Sequence, residues 1–201
     1  RGPGGFTTNP YESLGAQLYV VMTTLKPPSL EKYESGVSVA LSKIPAKESF
    51  WANIKSCNYL PNVLMKKEAV DSKVDFTVSV DENGFLAESS TENFVIVNTN
   101  GELLVPSFSR TLRGVTVSRA MLLAEKLIQS GELSGIRESQ FKIDEIKNAR
   151  EAMMMGTTMD ILPVASFDGR AIGSGPGVQY KKLLQMIRQD LHSGAQMHTV
   201  I

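Results

Sequence analysis

Two hairpins in the middle of the chain constrain its fold more than any other feature of the sequence. Residues 74–80 alternate between apolar and polar side chains, the period of a strand with one buried face. The turn Asp81-Glu-Asn-Gly84 then leads into residues 85–88, which predicts a tight antiparallel connection. A second hairpin is predicted from residues 93–98 and 102–105, joined through Asn100-Gly101. The centre of the chain is therefore expected to be an antiparallel sheet.

Further strands and amphipathic helices are predicted on both sides of these hairpins. The expected strands are residues 16–24, 37–41, 137–143, 152–155 and 161–167. The expected helices are residues 58–70, capped by Asn58, 115–130, 144–149, capped by Asp144, and 180–191. Strands joined mainly by hairpins and covered by separate helices predict an α+β fold.

Composition and charge exclude several classes of protein. The 201 residues are 42% hydrophobic, enough to form a core, and 21 Lys and Arg balance 21 Asp and Glu. This balance argues against binding to nucleic acid or to a membrane surface. No apolar run approaches the roughly 20 residues of a membrane-spanning helix. The single Cys57 favours an intracellular location, cytoplasmic or organellar.

The residue types present argue against several common kinds of catalytic site. The two histidines, His192 and His198, lie near the C-terminus, which argues against a histidine triad and a metal site. The remaining candidates are an amine, a carboxylate and two turns that could bind an anion: Lys55, Glu88, the segment Leu112-Arg-Gly-Val-Thr116 and the turn Gly156-Thr-Thr158. Taken singly, none of these features indicates a functional site. Lys55 would be read as a surface lysine, Glu88 as an edge-strand glutamate, and the two segments as a helix start and an ordinary turn.

The order of these candidates along the chain resembles a known enzyme family. Lys55-Ser-Cys-Asn-Tyr59, Glu88-Ser-Ser-Thr-Glu-Asn-Phe94, Leu112-Arg-Gly-Val-Thr116 and Met155-Gly-Thr-Thr158 are similar to the successive motifs of fold-type IV pyridoxal-phosphate enzymes. That family contains branched-chain aminotransferases, D-amino acid aminotransferases and aminodeoxychorismate lyases. The resemblance covers the chain from Arg1 to about Leu191. It implies a D-amino acid aminotransferase-like fold, mainly its strand-rich C-terminal domain with packed helices.

The resemblance also implies a role for each matching residue toward pyridoxal 5′-phosphate. Lys55 matches the catalytic lysine that forms an aldimine with the cofactor and then moves a proton, and Glu88 matches the carboxylate that pairs with the pyridine nitrogen. Tyr59 matches a residue that reaches the phenolic oxygen. The expected phosphate ligands are Leu112, Gly114, Val115, Thr116 and Thr157, and Thr158 falls where the substrate carboxylate binds.

The same resemblance gives the expected organisation and activity. Residues 1–15 match an inter-domain linker, residues 16–192 the cofactor-binding domain and residues 193–201 a tail, with the family's N-terminal domain missing from the sequence. The expected activity is transfer of an amino group between a small D- or branched-chain amino acid and a 2-oxo acid, in a homodimer. Two alternatives stay open: a lyase that releases pyruvate from aminodeoxychorismate, and an inactive homologue.

Overall fold

In the part of the chain that the structure describes, nine strands form one sheet that closes on itself, and six helices pack around it. The computed structural model describes residue 4 and residues 6–193. The strands are β1 (Val37–Leu41), β2 (Phe76–Val80), β3 (Leu86–Ser89), β4 (Asn93–Val97), β5 (Glu102–Pro106), β6 (Gly135–Ser139), β7 (Glu151–Gly156), β8 (Asp160–Phe167) and β9 (Arg170–Ala171). The helices are α1 (Leu30–Ser35), α2 (Ser49–Ala52), α3 (Leu60–Asp71), α4 (Val115–Gln129), α5 (Ile143–Lys147) and α6 (Val178–Ser193), with a 3-10 turn at Pro10–Glu12. The α+β fold is confirmed.

The sheet closes because β3 pairs with two different strands. The strand order is β3-β2-β1-β8-β7-β4-β5-β6, and β3 also pairs with β4 through Glu88 and Asn93. Six strands thus form a ring, β5 and β6 extend it from β4, and β9 pairs with β8. This pairing places Glu88 of β3 beside Asn93, the first residue of β4.

Two apolar cores lie on opposite faces of the sheet. Along β4, Phe94 and Ile96 belong to the core inside the ring, whereas Val95 and Val97 belong to the core beneath α4 and α6. The two helices are also joined by Arg119, whose Nε donates to Asp190 Oδ2 at 2.7 Å. All five residues of β4 are buried, so this strand is fixed from both faces.

Both predicted hairpins are confirmed. Strands β2 and β3 pair antiparallel, with Val80 opposite Leu86, and β4 and β5 pair antiparallel, with Ile96 opposite Leu104. Gly84 and Gly101 have φ angles of 78° and 80°, a backbone conformation that glycine adopts without steric cost. The strand predicted at 37–41 is present with the expected ends. The strands at 152–155 and 161–167 and the helices at 58–70, 115–130 and 180–191 are also present, with shifted ends.

The strand predicted at residues 16–24 is wrong. These residues form neither a helix nor a strand, and Leu18, Val21 and Met22 are 83–92% exposed. The prediction failed because apolar content shows only that a segment could pair, not that a partner is available. In the described part of the chain, β1 already has β2 on one side and β8 on the other, and ring closure leaves few free edges.

The ends or caps of β6, α5 and α3 also differ from those predicted from the sequence. The strand predicted at 137–143 runs from Gly135 to Ser139, because the chain then turns inward and buries Phe141 in the core inside the ring. Helix α5 ends at Lys147 rather than Ala149, and its N-cap is Lys142 rather than Asp144. Tyr59, not Asn58, is the N-cap of α3.

The predicted division into linker, domain and tail stays a prediction. Residues 1–3, 5 and 194–201 lie outside the described residues, and with them most of the predicted tail and part of the predicted linker. Within the described residues, no helix combines the length and the apolar character needed to cross a bilayer.

Candidate functional site

Lys55 lies in the short loop between α2 and α3, beside Tyr59 at the start of α3. Lys55 Nζ is 3.4 Å from the Tyr59 hydroxyl and donates a hydrogen bond to it. Both side chains are exposed, and both line the same cavity. Pro61 in the first turn of α3 fixes where this helix begins, and Thr77 Oγ1 of β2 donates to the Met65 carbonyl and holds α3 on the sheet at 2.9 Å. The Tyr59 hydroxyl that accepts from the amine therefore lies at the start of a helix that is anchored to the ring.

Glu88 lies in β3, and its side chain is only 15% exposed. Oε2 accepts a hydrogen bond from the Leu112 N–H at 2.9 Å, and Oε1 lies 3.8 Å from Lys47 Nζ. Burial has the largest influence and raises the pKa of the Glu88 carboxyl. The Leu112 N–H and the charges of Lys47 and Lys55 offset this rise only in part, and Glu92 adds to it.

The N-terminus of α4 forms the third part of the site. Gly114 is its N-cap, no described side chain caps the helix there, and its first turn holds no acidic residue. Free N–H groups at a helix N-terminus attract anions, phosphate in particular. A Cβ atom at Gly114 would collide with Asn93 Oδ1, so a side chain there would require Asn93 to move. Asn93 Nδ2 donates to the Leu112 carbonyl at 2.9 Å and holds the loop in place.

One cavity of about 220 Å³ connects these three parts. Eight of the nine predicted site residues line it: Lys55, Tyr59, Glu88, Leu112, Gly114, Val115, Thr116 and Thr157. Thr158 is exposed and is not among the lining residues, so its predicted role toward a substrate carboxylate stays a prediction. The segments that carry these residues are far apart in sequence and meet because the ring of strands closes.

The cavity also contains polar residues to which the sequence assigned no role, among them one lysine and two asparagines. Lys47, Asn62 and Asn93 line it beside the predicted residues. Asn93 could have been found from the hairpin register, because it pairs with Glu88 across β3 and β4. Lys47 follows β1 by six residues in a loop, and no local pattern marks it.

Buried polar atoms in and beside the cavity wall retain capacity for a ligand. Among the described residues, Asn62 Oδ1 in this wall is buried without a hydrogen-bond partner, and so is Ser89 Oγ in the wall of a smaller cavity that shares Asn62 and Glu88 with it. Buried polar atoms are normally paired, so such atoms beside a cavity indicate a bound group or water. No cluster of His, Cys, Asp and Glu able to hold a metal ion occurs among residues 4 and 6–193. An amine, a buried carboxylate and a helix N-terminus can together hold a phosphorylated ring and react with a carbonyl carbon.

Comparison with known proteins identifies the family. The sequence profile of the amino-transferase class IV family matches residues 1–167, and the chain belongs to that family. A chloroplastic D-amino-acid transaminase from Arabidopsis thaliana is 35% identical over 195 residues, covering 96% of this chain and 52% of that protein. A D-alanine aminotransferase from Bacillus licheniformis is 29% identical over 167 residues, covering 82% and 57%.

A solved structure shows the same fold. The branched-chain amino acid aminotransferase from Thermobaculum terrenum, in its PLP form, has a TM-score of 0.72 and 24% identity, over 82% of this chain and 54% of that one. The family expected from the four motifs is confirmed by the family profile, and its fold by this likeness. The chain spans about half the length of the curated relatives it matches, at 52% and 57%.

Proposed function

We propose that this chain carries the cofactor site of a pyridoxal-phosphate-dependent aminotransferase that acts on small amino acids and 2-oxo acids. The observation that supports this most strongly is the shared cavity of Lys55, Glu88 and the α4 N-terminus. The relatives with aminotransferase names support the same activity and favour it over the lyase alternative.

The residues present fit pyridoxal 5′-phosphate. The N–H groups at the start of α4 and the hydroxyls of Thr116 and Thr157 would hold the phosphate, and Gly114 keeps this part of the wall open. The Glu88 carboxylate would pair with the ring nitrogen, and Tyr59 would reach the phenolic oxygen. When bound, the cofactor supplies a carbonyl carbon for an amine and a ring that withdraws electrons.

The chain's own residues then divide the work between binding and proton transfer. In its neutral form the Lys55 amine is a nucleophile and a base, so it can accept a proton from a substrate carbon and return it one position away. Tyr59, 3.4 Å from Lys55 Nζ, orients that amine. Glu88 offers a fixed negative charge, which the Leu112 N–H orients from 2.9 Å.

Amino-group exchange in the presence of a 2-oxo acid acceptor tests the proposal. The purified chain is loaded with pyridoxal 5′-phosphate and given D-alanine, D-aspartate or L-leucine with 2-oxoglutarate. We expect glutamate to form with at least one donor, and the Lys55→Ala variant to lose this activity by at least about 10³-fold. Pyruvate release from aminodeoxychorismate without an acceptor would support the lyase instead, and no turnover in a folded, loaded chain would support an inactive homologue.

A homodimer and the preference between D- and branched-chain amino acids are parts of the same proposal. Exposed apolar side chains near the site, among them Phe50, Trp51 and Leu60, support association with further protein. The A. thaliana relative is chloroplastic, and an intracellular location, cytoplasmic or organellar, stays a prediction for this chain.

A further inference from the structure

Lys47 lies against the carboxylate that the proposed function places at the ring nitrogen. Its Nζ is 3.8 Å from Glu88 Oε1, and the two side chains are 25% and 15% exposed. Lys47 belongs to the loop between β1 and α2, whereas Glu88 belongs to β3, so the contact joins two separate parts of the ring. The other carboxylate oxygen, Oε2, accepts from the Leu112 N–H. Each oxygen of Glu88 therefore has its own partner.

The charged groups around Glu88 come from four parts of the fold. Lys47 follows β1, Lys55 follows α2, Glu92 lies in the turn between β3 and β4, and Arg113 precedes α4. Arg113 is directed elsewhere, because its guanidinium lies 4.0 Å from the Phe108 ring and 3.4 Å from Glu138 Oε2. Lys47 and Lys55 thus remain as the cations that act on Glu88, and Glu92 opposes them.

In the proposed reaction, only one of these two lysines can keep its positive charge beside Glu88. Lys55 must give up its positive charge to act as a nucleophile or base. Lys47 has no such task, because nothing in the proposed reaction requires it to lose a proton. It also lines a second cavity of about 10 Å³ beneath the site, together with Asn62 and Ser89, whose buried oxygens lack partners among the described residues. An ammonium group has three N–H donors, which suits a position between these acceptors and a carboxylate.

We propose that Lys47 is a positioning residue that keeps Glu88 ionised and oriented while Lys55 is neutral. This inference rests on the proposed function, since it concerns the same carboxylate. It predicts that removing the Lys47 charge makes Glu88 easier to protonate, because burial already disfavours the ionised form. The effect on catalysis then passes through Glu88, not through a contact between Lys47 and the substrate.

The first test needs neither cofactor nor activity. The full chain is labelled with glutamate carrying ¹³C at its carboxyl carbon, and the Glu88 signal is identified by its loss in Glu88→Gln. We expect its titration midpoint to move to higher pH in Lys47→Met and to stay near the original pH in Lys47→Arg. Lys43→Met, an exposed lysine of the same loop, is the matched control and should leave the midpoint unchanged. Lys47→Gln replaces the methionine variant if that variant does not fold.

The second test uses the loaded enzyme. In Lys47→Met, kcat at the acid end of the pH profile should fall about tenfold, with KM changed by less than about twofold, and Lys47→Arg should restore it. An unmoved Glu88 midpoint in Lys47→Met would overturn the role of Lys47 even if the enzyme is active. A moved midpoint in a chain without transaminase activity would instead support Lys47 and contradict the proposed function.

Discussion

Gly114, the N-cap of α4, lies in the loop that lines the candidate cofactor site, and it has no room for a Cβ atom unless Asn93 moves. Its φ of −65° and ψ of 146° suit any residue, so an alanine there would not strain the backbone. The added Cβ would instead collide with Asn93 Oδ1. Asn93 would have to move, and its hydrogen bond to the Leu112 carbonyl would be lost.

We therefore expect Gly114→Ala to weaken binding of pyridoxal 5′-phosphate about tenfold or more, because the anion site at α4 is displaced. Fluorescence titration of the apo chain with the cofactor measures this affinity. Gly135→Ala is the matched control, since its Cβ would come no closer than 3.9 Å to Glu102 Cγ. Equal affinities of the two variants would show that the loop does not hold the phosphate.

At the scale of elements, Asp75 joins α1, β1 and β2. Its Oδ2 accepts from the Ser38 N–H at 2.9 Å and from the Ser38 hydroxyl at 3.2 Å, and its Oδ1 pairs with Lys32. Burial alone would raise the pKa of the Asp75 carboxyl, but Lys32 and Ser38 together lower it below its ordinary value. The folded chain thus favours the ionised form, and the contact holds the parallel pair of β1 and β2 together.

Asp75→Asn should lower the free energy of unfolding by about 1–2 kcal/mol at neutral pH, since the charged hydrogen bonds are lost. A depressed pKa contributes stability above the ordinary pKa of the carboxyl, and this is lost as the pH falls through the folded value. The difference in the free energy of unfolding between wild type and Asp75→Asn should therefore shrink as the pH falls, as measured by urea unfolding. Asp71→Asn, which removes an exposed pair with Lys67, is the matched control and should leave the free energy of unfolding nearly unchanged. A difference in the free energy of unfolding that does not change with pH would contradict the role of Asp75.

Elements with a local signal could be predicted from the sequence, and those that depend on distant partners could not. The hairpin around Gly84 follows from alternation and turn residues within about a dozen positions. Residues 16–24 have the composition of a strand, but whether an edge is free depends on how β1, β2 and β8 pair. For the same reason the sequence identified Lys55 and Glu88 separately, by their motifs, but gave no sign of Lys47. Its contact with Glu88 exists only after β1, β2 and β3 have paired.

At the scale of the whole molecule, the surface formed by residues 14–25 is apolar and exposed. Leu14, Leu18, Val20 and Met22 are among its uncovered side chains. An apolar surface of this extent is typical of a protein interface and is rare on a monomer. The homodimer proposed above would bury such a surface.

The chain should accordingly associate in solution, and Val21→Asp should weaken association about tenfold or more by placing a charge in the interface. Light scattering after size-exclusion chromatography, over a range of concentrations, measures the mass. Thr23→Asp introduces the same charge at a polar position of the segment and serves as the control. A monomer at all concentrations would contradict association through this surface, as would equal effects of the two substitutions.

The central claim is that Lys55 reacts with the cofactor while Glu88 lies in the same cavity. Incubation of the chain with pyridoxal 5′-phosphate, reduction with borohydride and peptide mass mapping test it most directly. We predict a yellow protein that loses its colour on reduction and carries a single phosphopyridoxyl group on Lys55. A label on Lys66 or Lys67, or the same amount of label in the Lys55→Ala variant, would contradict the account.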